Sequence, residues 1–339
     1  MRYTHAVYVH TPMEIRMFQP VHFGLYFTES HVRNARSLQG TEPFRAAWAL
    51  LHQRKPLDLL GLAQWHGLLY RFDDDEEAGA RTVGILQQDD LTPAHPSSRL
   101  ETIAAALTQA QCFELVRDHP AAFDRQGWLE RFALTVDALN QDGSDWLHVE
   151  QLWLNALNLA ASIVLEQEAP FWQAVDAFKD VIRRDVHPDG YIRRSAPGPA
   201  GESLVRMLLS AQALILTAEM ALHAGEDLWA FTERGVSALT PTPYLLYYYY
   251  YPEKWRWDAE IEGDAVPDEG ESHLEIEAVQ ALYKRHAGLW EMSQHRNWSK
   301  DRQILLDEIR PVQDQWGGGL VTLSHGVIAP KRKRFGLFS

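Results

Sequence analysis

The chain has 339 residues, 46% hydrophobic and 23% charged, with 32 Lys and Arg against 46 Asp and Glu for a formal charge of −14. Such a length and balance suit one globular domain over 1–339, and the acidic surplus repels phosphates, so no nucleic-acid partner is expected. Cys112 is the single cysteine, which excludes an intrachain disulfide, and its neighbours in "TQAQCFELV" mark an inert buried thiol rather than a nucleophile.

The opening "MRYTHAVYVHTPMEIRMFQPVHFGLYF" lacks a continuous apolar core followed by a small-residue cleavage site. No signal peptide is read there, a cytoplasmic location is expected, and "HAVYVH" is a strand candidate. From Thr41 onward the pattern is helix after helix. "TEPFRAAWALLHQ" carries Pro43 in its first turn, and "LDLLGLAQWHGLLYRF" follows Pro56. "DDDEEAG" reads as a charged connection into "ARTVGILQQ". Amphipathic segments then come as "RLETIAAALTQAQCFELVRD", "RQGWLERFALTVDALN", "DWLHVEQLWLNALNLAASIVLEQ", "PFWQAVDAFKDVIRRDV" and "ESLVRMLLSAQALILTAEMALHAG". "SHLEIEAVQALYKRHAGLWEMSQHR" and "KDRQILLDEI" close the helical series, and "GGGLVTLSHGV" is a second strand candidate. Short connections rich in Pro, Gly, Asp and Ser predict antiparallel helical hairpins. No stretch is read as a bilayer span. The tail "APKRKRFGLFS" reads as a solvated or docked basic terminus.

Two segments differ from the rest. Trp146 to Gln167 is apolar on most sides, yet His148, Gln151, Asn155, Asn158 and Ser162 recur at three-and-four spacing. Glu202 to Ala224 repeats the design with Ser203, Arg206, Ser210 and Thr217. A helix greasy nearly all round is an inner helix, and its polar stripe must meet water, another stripe or a cleft. The expectation is that the two stripes face one shared wet channel.

Helical hairpins with striped inner members are the plan of an α/α toroid. "AFKDVIRRDVHPDGYIRRS", "ESLVRMLLSAQALILTAEMALHAGEDLW" and "SALTPTPYLLYYYYYPEKWRW", with "HVRNARSLQGTEPFRAAWALL" and "DWLHVEQLWLNAL", resemble the alginate-lyase-type domain of polysaccharide lyases. The resemblance spans about 30–260 of the chain, with 261–339 as C-terminal helices and a tail packed on it. It implies an all-α, incomplete (α/α) toroid with minor β at the termini. It also implies a long groove for an acidic, uronate-containing polysaccharide and β-elimination of its glycosidic bond. Members of the family are often exported.

That reaction needs a group to neutralise the uronate carboxylate, a base for the neighbouring proton and an acid for the leaving oxygen. In the family, an Asn-Asn-His motif and a Tyr-His-x-Tyr-like motif supply them. Aligned on Trp153, this chain has His148 to Glu150 where Asn-Asn-His belongs, and Val205 to Leu209 offers only Arg206 for the second motif. The candidate catalytic set is therefore His148 as base, Tyr191 as acid and Arg194 or Arg206 on the carboxylate. Glu150, Gln151, Asn155 and Arg193 are candidate substrate contacts.

In "YLLYYYYYPEKWRW", Tyr244 to Trp257, successive rings cannot all share one face, so part of the run meets solvent or a ligand. Tyr and Trp suit the C–H face of a pyranose, which makes Tyr247, Tyr249, Trp255 and Trp257 substrate-binding candidates, with Lys254 and Arg256 adding charge. The fifteen histidines include no His-x-x-x-His pair, so neither metal nor cofactor is expected. Two further readings compete with an active lyase. One is a catalytically inactive carbohydrate-binding or scaffold protein that keeps the groove, and the other is a helical interaction protein whose groove is filled.

Overall fold

The helices opened by Asp58, Asp75, Ser98 and Asp124 start where a short polar side chain takes one of the first free backbone amides. The computed structural model describes residues 17–53, 58–88, 91, 98–142, 145–197, 201–258, 266–267 and 272–330. Asp58 accepts from the Gly61 amide, Asp75 from Ala78, Ser98 from Glu101 and Asp124 from Gly127. In chain order the α-helices are α1 (Glu29–Ser37), α2 (Phe44–Gln53), α3 (Leu59–Asp73), α4 (Glu76–Leu86), α5 (Arg99–Val116), α6 (Arg125–Gln141) and α7 (His148–Val164). They continue as α8 (Glu168–Arg184), α9 (Ser203–Leu222), α10 (Pro241–Tyr250), α11 (Ile276–Arg285), α12 (Gly288–Arg296), α13 (Lys300–Ile309) and α14 (Val321–His325).

Helices α3, α5, α7 and α9 pack side by side as an inner arc, with α4, α6 and α8 outside it. The inner helices run parallel. At the start of α5 and α7, Arg99 lies 3.9 Å from Glu150, and at their far ends Arg117 donates to the Val164 carbonyl. The gap between α9 and α3 is filled by α12, α14 and α1, each touching the next. This is the expected α/α toroid: an open arc of hairpins, with its missing sector filled by the chain ends. By length and apolarity α9 is long enough to cross a membrane, contrary to the sequence reading, but 94% of that window is buried, as in the central helix of a folded domain.

Side chains from all four inner helices converge on residues 312–320. Gln64 donates to the Gln315 carbonyl, Gln111 to the Gly318 carbonyl and Gln212 to the Asp314 carboxylate, while Trp153 meets Trp316 edge-on at 5.6 Å. The axis of the ring is thus occupied by a segment of the chain itself. Gly318 and Gly319 have φ of 105° and 87°, and a Cβ on Gly319 would lie 2.8 Å from Leu68, so only glycine threads here.

The expected strand in "GGGLVTLSHGV" is instead a glycine turn closed by an Asp314–Gly319 bridge and followed by α14. Among the described residues β structure is limited to isolated bridges. "HAVYVH" and the basic tail lie outside the described residues. The acidic run begins a helix rather than a connection, because Asp75 caps α4 and Glu76 and Glu77 sit at its positive end. Cys112 is fully buried, and burial pushes its thiol well up, as expected of an inert group.

Candidate functional site

His148 opens α7 at the mouth formed by the starts of the inner helices. Only 7% of the residue is exposed, both ring nitrogens are shut off from solvent without a hydrogen bond of good geometry, and the Gln151 side chain is the neighbour that favours the protonated ring. Its Nε2 lies 3.5 Å from an Asp185 carboxylate oxygen. Asp185 ends α8 and is also 3.8 Å from the exposed guanidinium of Arg194, whose other nitrogen reaches the Gln151 side chain at 3.4 Å. Burial, reinforced by the Arg194 charge, pushes His148 down to about 4, so its imidazole is neutral at pH 7. Burial raises the Asp185 carboxyl, and Arg194 opposes that rise.

The turn after α8 supplies the arginines. Val186 bridges to Ile192, and Asp189-Gly190 makes the reversal, with Gly190 at φ 102°. A Cβ on Gly190 would lie 2.5 Å from that of Tyr244, so glycine is required by both the turn and the packing. Residues Arg193–Ser195 then form a short 3-10 turn that wedges between α7 and α9.

This wedge separates the two stripes. Arg206 is buried beneath it, with donors taken by the Ser195 and Ala196 carbonyls and by Glu202, and Ser210 meets Ser195 hydroxyl to hydroxyl at 2.7 Å. Ser203 is consumed by the Trp257 carbonyl and the Trp255 indole. The α9 stripe therefore grips the turn and the aromatic segment through Ser203, Arg206 and Ser210, and among the described residues no channel shared with α7 runs along it. Arg206 thus holds the turn that carries Arg194, and its guanidinium is buried in that contact.

Other expectations are corrected in the same way. Glu150 accepts the Leu147 amide at 2.9 Å and closes the helix start. Asn155 turns toward α8, donating to the Ala174 carbonyl, and with Asn140 and Asn158 lines a cleft of roughly 430 Å³ between α6, α7 and α8. Tyr191 is buried, stacked on His187 at 4.3 Å and packed on Trp257 at 5.2 Å, so its place is in an aromatic core. Trp255, Trp257 and Tyr249 are buried too, the last with its hydroxyl on Glu308. Tyr247 and Tyr251 are 42% and 45% exposed and lie 4.9 Å apart, and the Lys254 ammonium stands over both rings. Arg193 is half-buried, with its backbone amide bonded to the Asp185 carbonyl.

The structure thus brings together His148, Gln151 and Arg194, and adds Asp185, which sequence spacing did not single out. The signal was present in "RRDVHPDG": a carboxylate ending one helix, just before the turn that returns to the next. His286 was also missed. It is buried against Trp316 at 5.6 Å, its Nδ1 has no hydrogen-bond partner, and burial pushes it down to about 4.

These two histidines, with His295 and His31, which burial also pushes down, contribute to an acid response. Above about pH 6.5 all four are neutral whether folded or unfolded and contribute no pH dependence. As pH falls from 6.5 to about 4, the unfolded chain takes up protons that the folded chain refuses, so stability falls. Each histidine is worth roughly 3 kcal/mol over that window. Asp314, raised to about 6 by burial, works in the opposite direction between pH 3.8 and 6 and offsets about one of them. Urea denaturation at pH 7 and pH 4.5 is expected to give a lower midpoint at pH 4.5, and His148→Gln to reduce the difference.

No protein-family model matches the sequence, and no curated protein matches it. Solved structures do. Alginate lyase A1-III complexed with a tetrasaccharide superposes with a TM-score of 0.71 at 14% identity, covering 94% of this chain and 99% of that one. The A1-III enzyme from Sphingomonas species A1 gives a TM-score of 0.59 at 16% identity, covering 84% and 78%. An alginate lyase from Bacteroides ovatus gives 0.59 at 14% identity, covering 80% and 73%. The chain has the α/α-toroid fold of the alginate lyases.

Proposed function

We propose that this protein is a polysaccharide lyase that cleaves a uronate-containing chain by β-elimination, with His148 as its base and Arg194 as its carboxylate clamp. The observation that carries this reading is a buried, neutral imidazole next to an exposed guanidinium at an inner-helix start. Arg194 neutralises the uronate carboxylate, which makes the adjacent C5 proton removable. His148 takes that proton, the C4–C5 double bond forms, and the C4–O bond breaks. The same imidazolium then returns the proton to the leaving oxygen, so no separate tyrosine is required. Asp185, 3.5 Å away, stabilises the imidazolium while it exists. Burial and, after it, the Arg194 charge keep the resting imidazole unprotonated. Lys254 with Tyr247 and Tyr251 adds an exposed aromatic and cationic surface suited to an anionic sugar.

The second reading, a silent carbohydrate-binding protein, is favoured by the consumption of Arg206 and Tyr191 in packing. Ultraviolet absorbance of the new double bond separates the two on alginate, glycosaminoglycans and pectate. The lyase gives product that Arg194→Ala abolishes. Binding without product on every polymer retires the lyase and leaves the binder. Neither binding nor product leaves a structural role, consistent with the occupied axis.

A further inference from the structure

The second half of the α7 stripe takes no part at the mouth. Asn155, Asn158 and Ser162 turn outward into the gap between α6 and α8, helices that pack on α7 far more than on each other. The gap holds the cleft of roughly 430 Å³, and Ala133, Leu165 and Gln167 also line a second compartment of roughly 270 Å³ that runs on to Arg117, Gln126 and Glu130. From Gln126 to Asn140 this trough follows α6 for about 21 Å, at about 1.5 Å per residue.

Its chemistry is narrow. In the larger compartment Asp137 is the one charged side chain in the described lining, set among Asn140, Asn155, Asn158, Gln167 and Gln173. In the smaller, Arg117 is already held by Glu114, Glu166 and the Val164 carbonyl, and Glu130 adds a further carboxylate. The described lining therefore has no spare cation, and it repels a uronate chain.

The amides are oriented before any ligand arrives. Asn140 and Asn158 hold each other through a reciprocal pair at 2.8 and 3.0 Å, Asn140 also donates to the Val136 carbonyl, and Asn155 donates to the Ala174 carbonyl at 3.1 Å. An amide side chain carries two N–H donors and a carbonyl with two lone pairs, so Asn155 and Asn158 each retain one donor and all three retain acceptor capacity. A hydroxyl both donates and accepts, and it satisfies such groups with no charge on either side. Ala133, Ala161, Ala174 and Ala177 leave room for a ring beside them.

We propose that this trough binds a neutral oligosaccharide, at a site separate from the mouth that holds His148 and Arg194. A cleft of this volume is in the range of small-ligand sites. Peptides dock on a free sheet edge, an aromatic groove, an arginine cluster or a hydrophobic groove with pockets for large anchors. The described lining has no strand, no aromatic ring and no free arginine, and its apolar walls are mostly alanine. Helical spacing on α7 marked Asn155, Asn158 and Ser162 in the sequence, and the partner of that face is the gap between two outer helices.

The test uses the full chain and, as probes, the neutral β-1,4-linked hexasaccharides of glucose and of mannose. Saturation-transfer NMR is expected to show at least one of them bound. Ala133→Phe fills the wall common to both compartments without removing a side-chain hydrogen bond, and it should abolish the signal. Ala177→Phe, from the exposed wall on α8, serves the same purpose should the first variant fail to fold. Asn158→Ala should weaken binding about fivefold by calorimetry, the loss of one neutral hydrogen bond, and Arg194→Ala should leave it unchanged. Absence of transfer to both hexasaccharides overturns the proposal, as does binding that survives both fillings. A Gly-Ser peptide of similar length that binds the wild type and is lost in Ala133→Phe overturns it in favour of a peptide groove. A uronate hexasaccharide lost in the same variant also overturns it, since the acidic chain would then lie in the trough and not at the mouth.

Discussion

Replacing Trp257 with alanine is expected to lower the unfolding free energy by about 3–5 kcal/mol, the range for emptying a buried aromatic site. Trp257 is 1% exposed, donates its indole N–H to the Tyr244 hydroxyl at 2.7 Å, and packs on Tyr191 at 5.2 Å. Its carbonyl accepts from Ser203 at the start of α9, so the cavity would lie under both the inner helix and the turn that carries Arg194. The Arg256 guanidinium stands over both the Tyr191 and Trp257 rings and would lose one of its two faces. Chemical denaturation measures the change, and Tyr247→Ala is the control, expected within about 0.5 kcal/mol because that ring is exposed. A loss below about 1 kcal/mol for Trp257→Ala would mean that the indole offers a face to ligand instead of filling the core.

The aromatic run shows what was legible in the sequence and what was not. That five consecutive tyrosines divide between core and solvent follows from helical geometry alone. Tyr248 and Tyr249 face inward, and Tyr247 and Tyr251, four apart, share the exposed side. Which pair would face outward depends on α13 supplying Glu308 for Tyr249, a contact 59 residues away in the chain. The inner helices α7 and α9 were legible for a simpler reason: each is apolar nearly all round, and such a helix has no stable place outside the core.

The direction of their polar stripes was not legible. A stripe at three-and-four spacing specifies one face, but the partner of that face is set by tertiary packing. For α9 the partner is the 193–195 turn, whose carbonyls need donors once they are wedged between two helices. For the ring as a whole it is the 312–320 segment, which brings its own unpaired backbone groups to the axis and collects a glutamine from each of three inner helices. One physical requirement, that buried carbonyls and carboxylates find donors, accounts for Gln64, Gln111, Gln212 and Arg206. It does not account for His148, a buried imidazole at the start of α7.

On the proposed lyase reading, His148→Gln is expected to cut kcat on a polyuronate by about 10²–10⁴, the range for removing a positioned general base. That loss corresponds to about 3–5 kcal/mol of barrier. Stability should move little at pH 7, because the ring is neutral there and glutamine keeps a polar side chain of similar size at the start of α7. The two readouts separate a chemical role from a packing role, since a residue needed only for packing would lose Tm and kcat together. The pH profile adds a third. A base that titrates near 4 is already unprotonated at pH 6, so the wild-type rate should be flat on its acid side down to about pH 5 and fall below it. Asp185→Asn, which removes the charge that stabilises the imidazolium, should lower kcat more than it raises KM. Unchanged kcat in His148→Gln would transfer the base to another group at the same mouth, and the proposed chemistry at α7 would fall with it.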